Sequence, residues 1–281
     1  MEARALPSRS RGALSIRDVV KTYDAGGARI PAIDHCSLSV SAGEICMIVG
    51  PSGCGKTTLL NAIAGFHSID SGTIALDDRV LCGPHSQIAP IGADRIVVFQ
   101  NGALFPWKTN LDNVAFGSIA QRRLSRKEAY ARGRELMAEA GLSGYENKYP
   151  GELSSGLQRR VEIVRALIND PAVLLLDEPY RSLDALSKSV MHEALLETYY
   201  RTGVTIFFIT HDLEEAIFLG HRVVVMTSRP CRPKKTFVVD IPHPRRYDVL
   251  TSPRFRELAA EISDAVDEEA ATAFALGEKE S

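Results

Sequence analysis

The strongest chemical signal in the chain is GPSGCGKT (Gly50–Thr57), which fits G-x-x-x-x-G-K-[ST] at every fixed position. Glycines at this spacing let successive backbone N–H groups turn inward and form a concave nest for an anion. Lys56 would reach the β- and γ-phosphates of a nucleoside triphosphate, and the Thr57 hydroxyl would ligate Mg²⁺. A second cluster, VLLLDEP (Val173–Pro179), ends an apolar run on two carboxylates. Asp177 suits a place beside Mg²⁺, and Glu178 suits a general base that polarises an attacking water. An acidic pair there would also suit a helix N-cap, so context must decide. A third stretch, ELSSGLQRR (Glu152–Arg160), leads into VEIVRALI and reads as a helix start capped by Ser154, with the positive end of a helix dipole behind it. Cys54, inside the glycine loop at a helix N-terminus, should have a lowered thiol pKa and be alkylated unless nucleotide shields it.

The elements that position these groups follow from apolar patterning. ICMIVG (Ile45–Gly50), RIVVFQ (Arg95–Gln100), AVLLLDEP (Ala172–Pro179) and VTIFFIT (Val204–Thr210) are apolar runs expected as strands. A helix is expected from about Lys56 to Ala64, and a hairpin over Ser71–Leu81. Short β-rich segments with turns such as DAGGAR are expected before Ile48. Residues of about 108 to 147 are polar and helical in period, an insertion between strands. Strands alternating with helices indicate an α/β fold with a parallel sheet.

Composition narrows the class. With 45% hydrophobic and 24% charged residues, 281 residues suffice for a sizeable core. A net charge of −2 gives no basic excess, so no nucleic-acid partner is expected. No run approaches the roughly 18 apolar residues of a membrane span. MEARALPSRSRGA carries arginines but no apolar core, so no signal peptide is expected. The five cysteines (Cys36, Cys46, Cys54, Cys82, Cys231) form no CxxC pair and are read as reduced thiols.

Taken in order, the motifs resemble the ATP-binding subunits of ABC transporters. Leu153-Ser154-Ser155-Gly156-Leu157-Gln158 resembles the family signature. Tyr23 in VVKTYDAG looks like the aromatic that stacks on adenine, and Gln100 like the Q-loop glutamine that senses Mg²⁺ and water. Asp184 in RSLDALS resembles the D-loop acid, and His211 in FFITHDLEEA the switch histidine at the γ-phosphate. Asp212 and Glu215 would form a capping box that fixes the turn presenting His211. The resemblance covers about residues 14–245. It implies a P-loop ABC ATPase core with a RecA-like parallel sheet, an N-terminal antiparallel β subdomain, and a helical subdomain at about 101–160. Residues 1–13 would be a loose arm, and 246–281 a helical extension with an acidic tail.

The resemblance also implies the site. ATP would contact Tyr23, Gly50, Pro51, Ser52, Gly53, Cys54, Gly55, Lys56, Thr57 and Thr58, and across a partner copy Ser154, Ser155, Gly156, Gln158 and Asp184. Mg²⁺ would meet Thr57, Gln100 and Asp177; Glu178, His211, Lys56 and Gln100 would act in hydrolysis. Two copies would close head to tail around ATP. Separate permease subunits would dock near Gln100–Gly117, where FPW offers either exposed anchors or core of the helical lobe. The wording LFPW…LDNVAFG, with TSRPCRP…VDIPHPRRYD, resembles importers of nitrate, sulfonates and taurine. A substrate-binding protein and a place on the cytoplasmic face of the inner membrane are then expected. A soluble ABC ATPase acting on nucleic acid or ribosomes, or an exporter subunit, are the competing readings. Three residues depart from the family pattern: Ser155, Arg159 and Arg181. If position 155 needs a positive φ, serine would cost about 1 kcal/mol there.

Overall fold

Apolar β-branched runs become fully buried strands here, and Gly or Ser boundaries become the loops that carry the motifs. The computed structural model describes residues 10–83 and 89–275. Residues 1–9 of the expected arm and 276–281 of the acidic tail lie outside the described residues. The chain opens with β1 (Leu14–Ala25), β2 (Ala28–Val40) and β3 (Ile45–Val49), followed by α1 (Lys56–Ala64), β4 (Ser71–Leu76) and β5 (Arg79–Cys82). Next come β6 (Arg95–Val98), α2 (Asn110–Ala120), α3 (Arg126–Glu139), α4 (Ser155–Leu167), β7 (Val173–Asp177) and α5 (Ala185–Thr202). The last third holds β8 (Thr205–Ile209), α6 (Leu213–Leu219), β9 (Arg222–Met226), β10 (Pro233–Val238) and α7 (Pro253–Ala275).

Two compact units result. The first comprises residues 1–91 and 203–281, and the second residues 92–202. In the first, an antiparallel sheet runs β2-β1-β4-β5. Two long strands replace the several short ones expected before Ile48. They are joined at Gly26–Gly27, both with positive φ, which matches the twist a two-residue hairpin needs. The same unit holds β8, β3 and β9 in parallel, with β10 antiparallel beside β9. Every residue of β3 and β8 is buried, as apolar strands covered on both faces should be. Each such Ile, Val or Phe contributes about 1.5–3 kcal/mol by leaving water. Helix α7 buries Phe255, Leu258, Ile262 and Ala265, a stripe at helical spacing, toward α6, β9 and β10.

In the second unit β6 and β7 pair in parallel. Around them α2, α3 and α4 share a core of Leu111, Val114, Leu136, Met137, Leu142, Val161, Val164 and Ile168. The expected helical stretch of about 108–147 is two helices. The second starts at Ser125, whose hydroxyl accepts from Glu128 N at 3.3 Å while Glu128 Oε2 accepts from Ser125 N at 2.8 Å. Among the described residues no helix is long and apolar enough to cross a membrane.

Candidate functional site

The glycine loop sits in the first unit, between buried β3 and α1. Gly50, Gly53 and Gly55 all have positive φ (152°, 73° and 117°). At Gly55 a side chain is excluded twice over, since a Cβ would also come within 2.8 Å of Cys231 Cβ. Gly55 is the N-cap of α1 and offers no side chain as a cap; no acidic residue stands in the first turn. A helix start without an acidic side chain is electrostatically suited to an anion. Lys56 is buried, and its Nζ donates to the Gly50 and Pro51 carbonyls at 2.8 and 2.7 Å and lies 3.7 Å from Cys54 Sγ. Pro51 is half-buried, and Ser52 and Thr57 are exposed, with Thr58 half-buried behind them. Cys54 is 1% exposed, which closes it to alkylating reagents. Its thiol is held below the usual range, but chiefly by a hydrogen bond with Cys231, and secondly by the charge of Lys56. All five cysteines are buried and reduced.

Tyr23 and His211 lie in this unit too. Tyr23 is half-buried on β1, with His67 edge-on at 6.3 Å and Lys21 Nζ 5.5 Å from its ring centroid. His211 stands between β8 and α6. Asp212 caps α6 as expected, accepting from Glu215 N at 3.1 Å, but in place of the return bond of a capping box Asp212 N donates to Thr210 Oγ1 at 3.0 Å. The other end of α6 is held by buried Arg245, which donates to the carbonyls of Ile217, Phe218 and Gly220 at 2.8, 3.1 and 2.6 Å. Beside it His221 and His243 stack with ring centroids 4.7 Å apart. Burial first, and the Arg245 charge second, pull His221 down to about 4 and His243 to about 3, so both are neutral at pH 7.

The remaining groups belong to the second unit. Asp177 ends β7 and is 7% exposed. Glu178 follows with φ +42°, a left-handed conformation that costs a non-glycine residue about 1 kcal/mol or more and is typical of functional turns. Its Oε2 accepts from Arg181 NH1 at 3.1 Å. Asp184 caps α5, accepting from Ser187 N at 2.9 Å and Ser187 Oγ at 2.6 Å, bonds that hold its carboxyl below the ordinary range. Ser154 caps α4, its hydroxyl accepting from Leu157 N at 3.4 Å. Ser155 opens α4 with no positive φ, so the strain anticipated for serine there does not arise: a first-turn helical position accepts any L-residue. Gly156 leaves its side nearest Ser187, and Gln158 Nε2 braces the turn by donating to the Pro150 and Leu153 carbonyls at 3.0 and 3.1 Å.

Gln100, Ser155, Gln158 and Arg181 line one cleft of about 470 Å³, together with Asn101 and Arg159. Arg159 organises it. Buried at 6% exposure, its guanidinium donates to the Phe99 carbonyl at 2.7 Å, the Gln100 carbonyl at 2.8 Å and the Glu162 carboxylate at 2.5 Å. Glu162 in turn accepts from Ala103 N at 2.5 Å. What the sequence showed only as a departure is the tie between the signature helix and the chain around Gln100. Trp107 is 71% exposed, while Phe105 is half-buried edge-to-face against Phe116. Their loop is clamped by buried Asn113, which accepts from Phe105 N at 2.7 Å and donates to the Phe105, Lys108 and Thr109 carbonyls.

A glycine-rich loop between a buried parallel strand and a helix, in a chain with a second strand that ends on carboxylates, is the pattern of the α/β P-loop ATPases. The comparisons narrow this further. The ABC transporter family model matches residues 33–181. An uncharacterized ABC transporter ATP-binding protein of Methanocaldococcus jannaschii is 39% identical, over 91% of this chain and 92% of its own. A taurine import ATP-binding protein of Rhizobium johnstonii is 42% identical, over 84% and 89% respectively. A bacterial ABC transporter cassette solved as a dimer superposes with a TM-score of 0.71 at 30% identity, covering 81% of this chain and 99% of that one. A post-hydrolysis state of such a cassette, bound to ADP and phosphate, gives 0.68 at 28% identity, with the same coverage. The chain belongs to the ABC transporter family, and within it is an ATP-binding, ATP-hydrolysing subunit.

Proposed function

We propose that this subunit powers import of taurine or a similar small sulfonate through separate permease subunits at the cytoplasmic face of the inner membrane, with a substrate-binding protein delivering the cargo. The observation that carries the reading is the 42% identity to a taurine import ATP-binding protein, over 89% of that relative's length. Two copies close head to tail, so that ATP on the glycine loop of one meets Ser154, Ser155, Gly156 and Gln158 of the other, with Asp184 near the join. The dimeric cassette with a TM-score of 0.71 supports this arrangement.

Lys56 and the backbone N–H groups of residues 52–58 bind the phosphates, and Tyr23 stacks on the base. The hydroxyl of Thr57 in the first unit, and the side-chain carbonyl of Gln100 and the carboxylate of Asp177 in the second, are the oxygen donors that would hold Mg²⁺. When bound, that ion neutralises charge on the β- and γ-phosphates. Glu178 accepts a proton from the attacking water, and His211 orients the γ-phosphate. The exposed Trp107 and its clamped loop offer an aromatic anchor to the permease, in the manner of interface centres. Glu178→Gln is expected to accumulate as an ATP-bound dimer on size exclusion and to lose turnover. Normal hydrolysis by that variant would refute the base assignment. Restored taurine uptake when the gene is supplied to a strain lacking its own taurine ATPase checks the cargo; restoration with nitrate alone would refute it.

A further inference from the structure

The loop after β9 reaches back to the glycine loop in three ways. Arg229 Nε and NH2 both donate to the Gly53 carbonyl, at 3.3 and 2.9 Å. Cys231 lies against Gly55 and shares a hydrogen bond with Cys54. The loop is also rigid. Thr227 N donates to Arg232 O at 2.9 Å and Thr227 Oγ1 to Pro230 O at 2.8 Å, while Cys231 N donates to Ala32 O at 2.9 Å. Its other side is held by α7: Glu269 Oε2 accepts from Ser228 N at 2.8 Å, and Lys234 Nζ lies 2.9 Å from Glu269 Oε1.

The geometry has a direct consequence for anion binding. A peptide unit is planar, and in the trans form its N–H points opposite to its C=O. The carbonyl held by Arg229 shares a peptide with the N–H of Cys54. A guanidinium fork on the oxygen therefore fixes the direction of that N–H. It also polarises the amide, making the N–H a stronger donor. Gly53, with φ +73° and no side chain, has backbone freedom that such a brace removes.

We propose that Arg229 is a positioning residue for the phosphate loop, held in place through Ser228 by Glu269 of α7, so that the C-terminal helix sets nucleotide affinity. This rests on the reading of Gly50–Thr57 as the ATP site. The test is binding of a fluorescent ATP analogue with Mg²⁺ to the full chain and its variants. Arg229→Ala should weaken binding about 3- to 10-fold, because the bonds lost are to the loop and reach the phosphate only through it. Arg229→Lys, which keeps the charge but not the fork, should fall between that variant and the parent. Glu269→Ala should weaken binding about twofold. A merely structural role would lower the melting temperature and leave affinity unmoved. Unchanged affinity in Arg229→Ala overturns the proposal. Weakening there without any in Glu269→Ala overturns the link to α7. Lys56→Ala separates the levels: if it binds as the parent does, the phosphate-loop reading itself fails, whereas if it loses binding and Arg229→Ala does not, only this inference fails.

Discussion

Arg181 NH1 stands 3.1 Å from Glu178 Oε2, so the carboxylate expected to take a proton from water is shared with a cation three residues on. The arginine is 54% exposed, and such pairs are worth about 0–1 kcal/mol. That is too little to hold the fold but enough to matter at a base. Arg181→Ser, which restores a small residue, is expected to raise ATP turnover about two- to fivefold, the rate equivalent of up to about 1 kcal/mol. Phosphate release at saturating ATP measures it. A fall in turnover would instead mean that Arg181 aims Glu178.

Arg159 carries a heavier structural duty. Removing its guanidinium leaves the Glu162 carboxylate buried beside an unmatched Gln100 carbonyl. Arg159→Ala should cost about 2–4 kcal/mol, visible as a lowered denaturation midpoint. Arg159→Gln, which keeps one donor, should lose less. Equal stability of the alanine variant and the parent would show that the guanidinium is dispensable.

Acid should loosen the first unit through His221 and His243. Their folded pKa values of about 4 and about 3 lie below the ordinary 6.5. The unfolded chain therefore binds protons first as pH falls. The stability they support is complete above about pH 6.5 and is lost from there down to about pH 4 for His221 and about pH 3 for His243, by up to about 1.4 kcal/mol per pH unit for each histidine. Thermal melts at pH 7, 6 and 5 should show this loss, and His243→Asn should flatten it. An unaltered slope in that variant would place the acid sensitivity elsewhere.

Ser155→Gly tests the corrected view of the signature. Because Ser155 has no left-handed backbone to relieve, glycine gains nothing there and adds chain freedom. A loss of up to about 1 kcal/mol in stability is expected, with no rise in turnover beyond twofold. A clear activation would show that the serine side chain obstructs the phosphate.

Much of this fold was legible because local pattern suffices for it. The runs at Ile45, Val173 and Thr205 are buried strands as read, and Ser154 and Asp212 cap the helices they precede. Yet β9, RVVVM, carries an equally strong apolar run and is not among the strands expected from the sequence. The missing parts of the site are long-range. Arg159 reaches back 60 residues to Phe99, and Arg229 reaches 176 residues to Gly53. Neither the period of a helix nor the spacing of a motif records such a contact. An arginine that breaks a family pattern shows only that its environment differs, not which carbonyls it meets.

The double anchoring of α6 bears on His211. A seven-residue helix fastened by Asp212 at one end and Arg245 at the other behaves as a short strut with little give. His211, at its foot, then has no slack of its own along that axis. If His211 meets the γ-phosphate as proposed, any travel it makes would be borrowed from the segment around Val239–Arg245, a stretch of chain outside the motifs that mark the site.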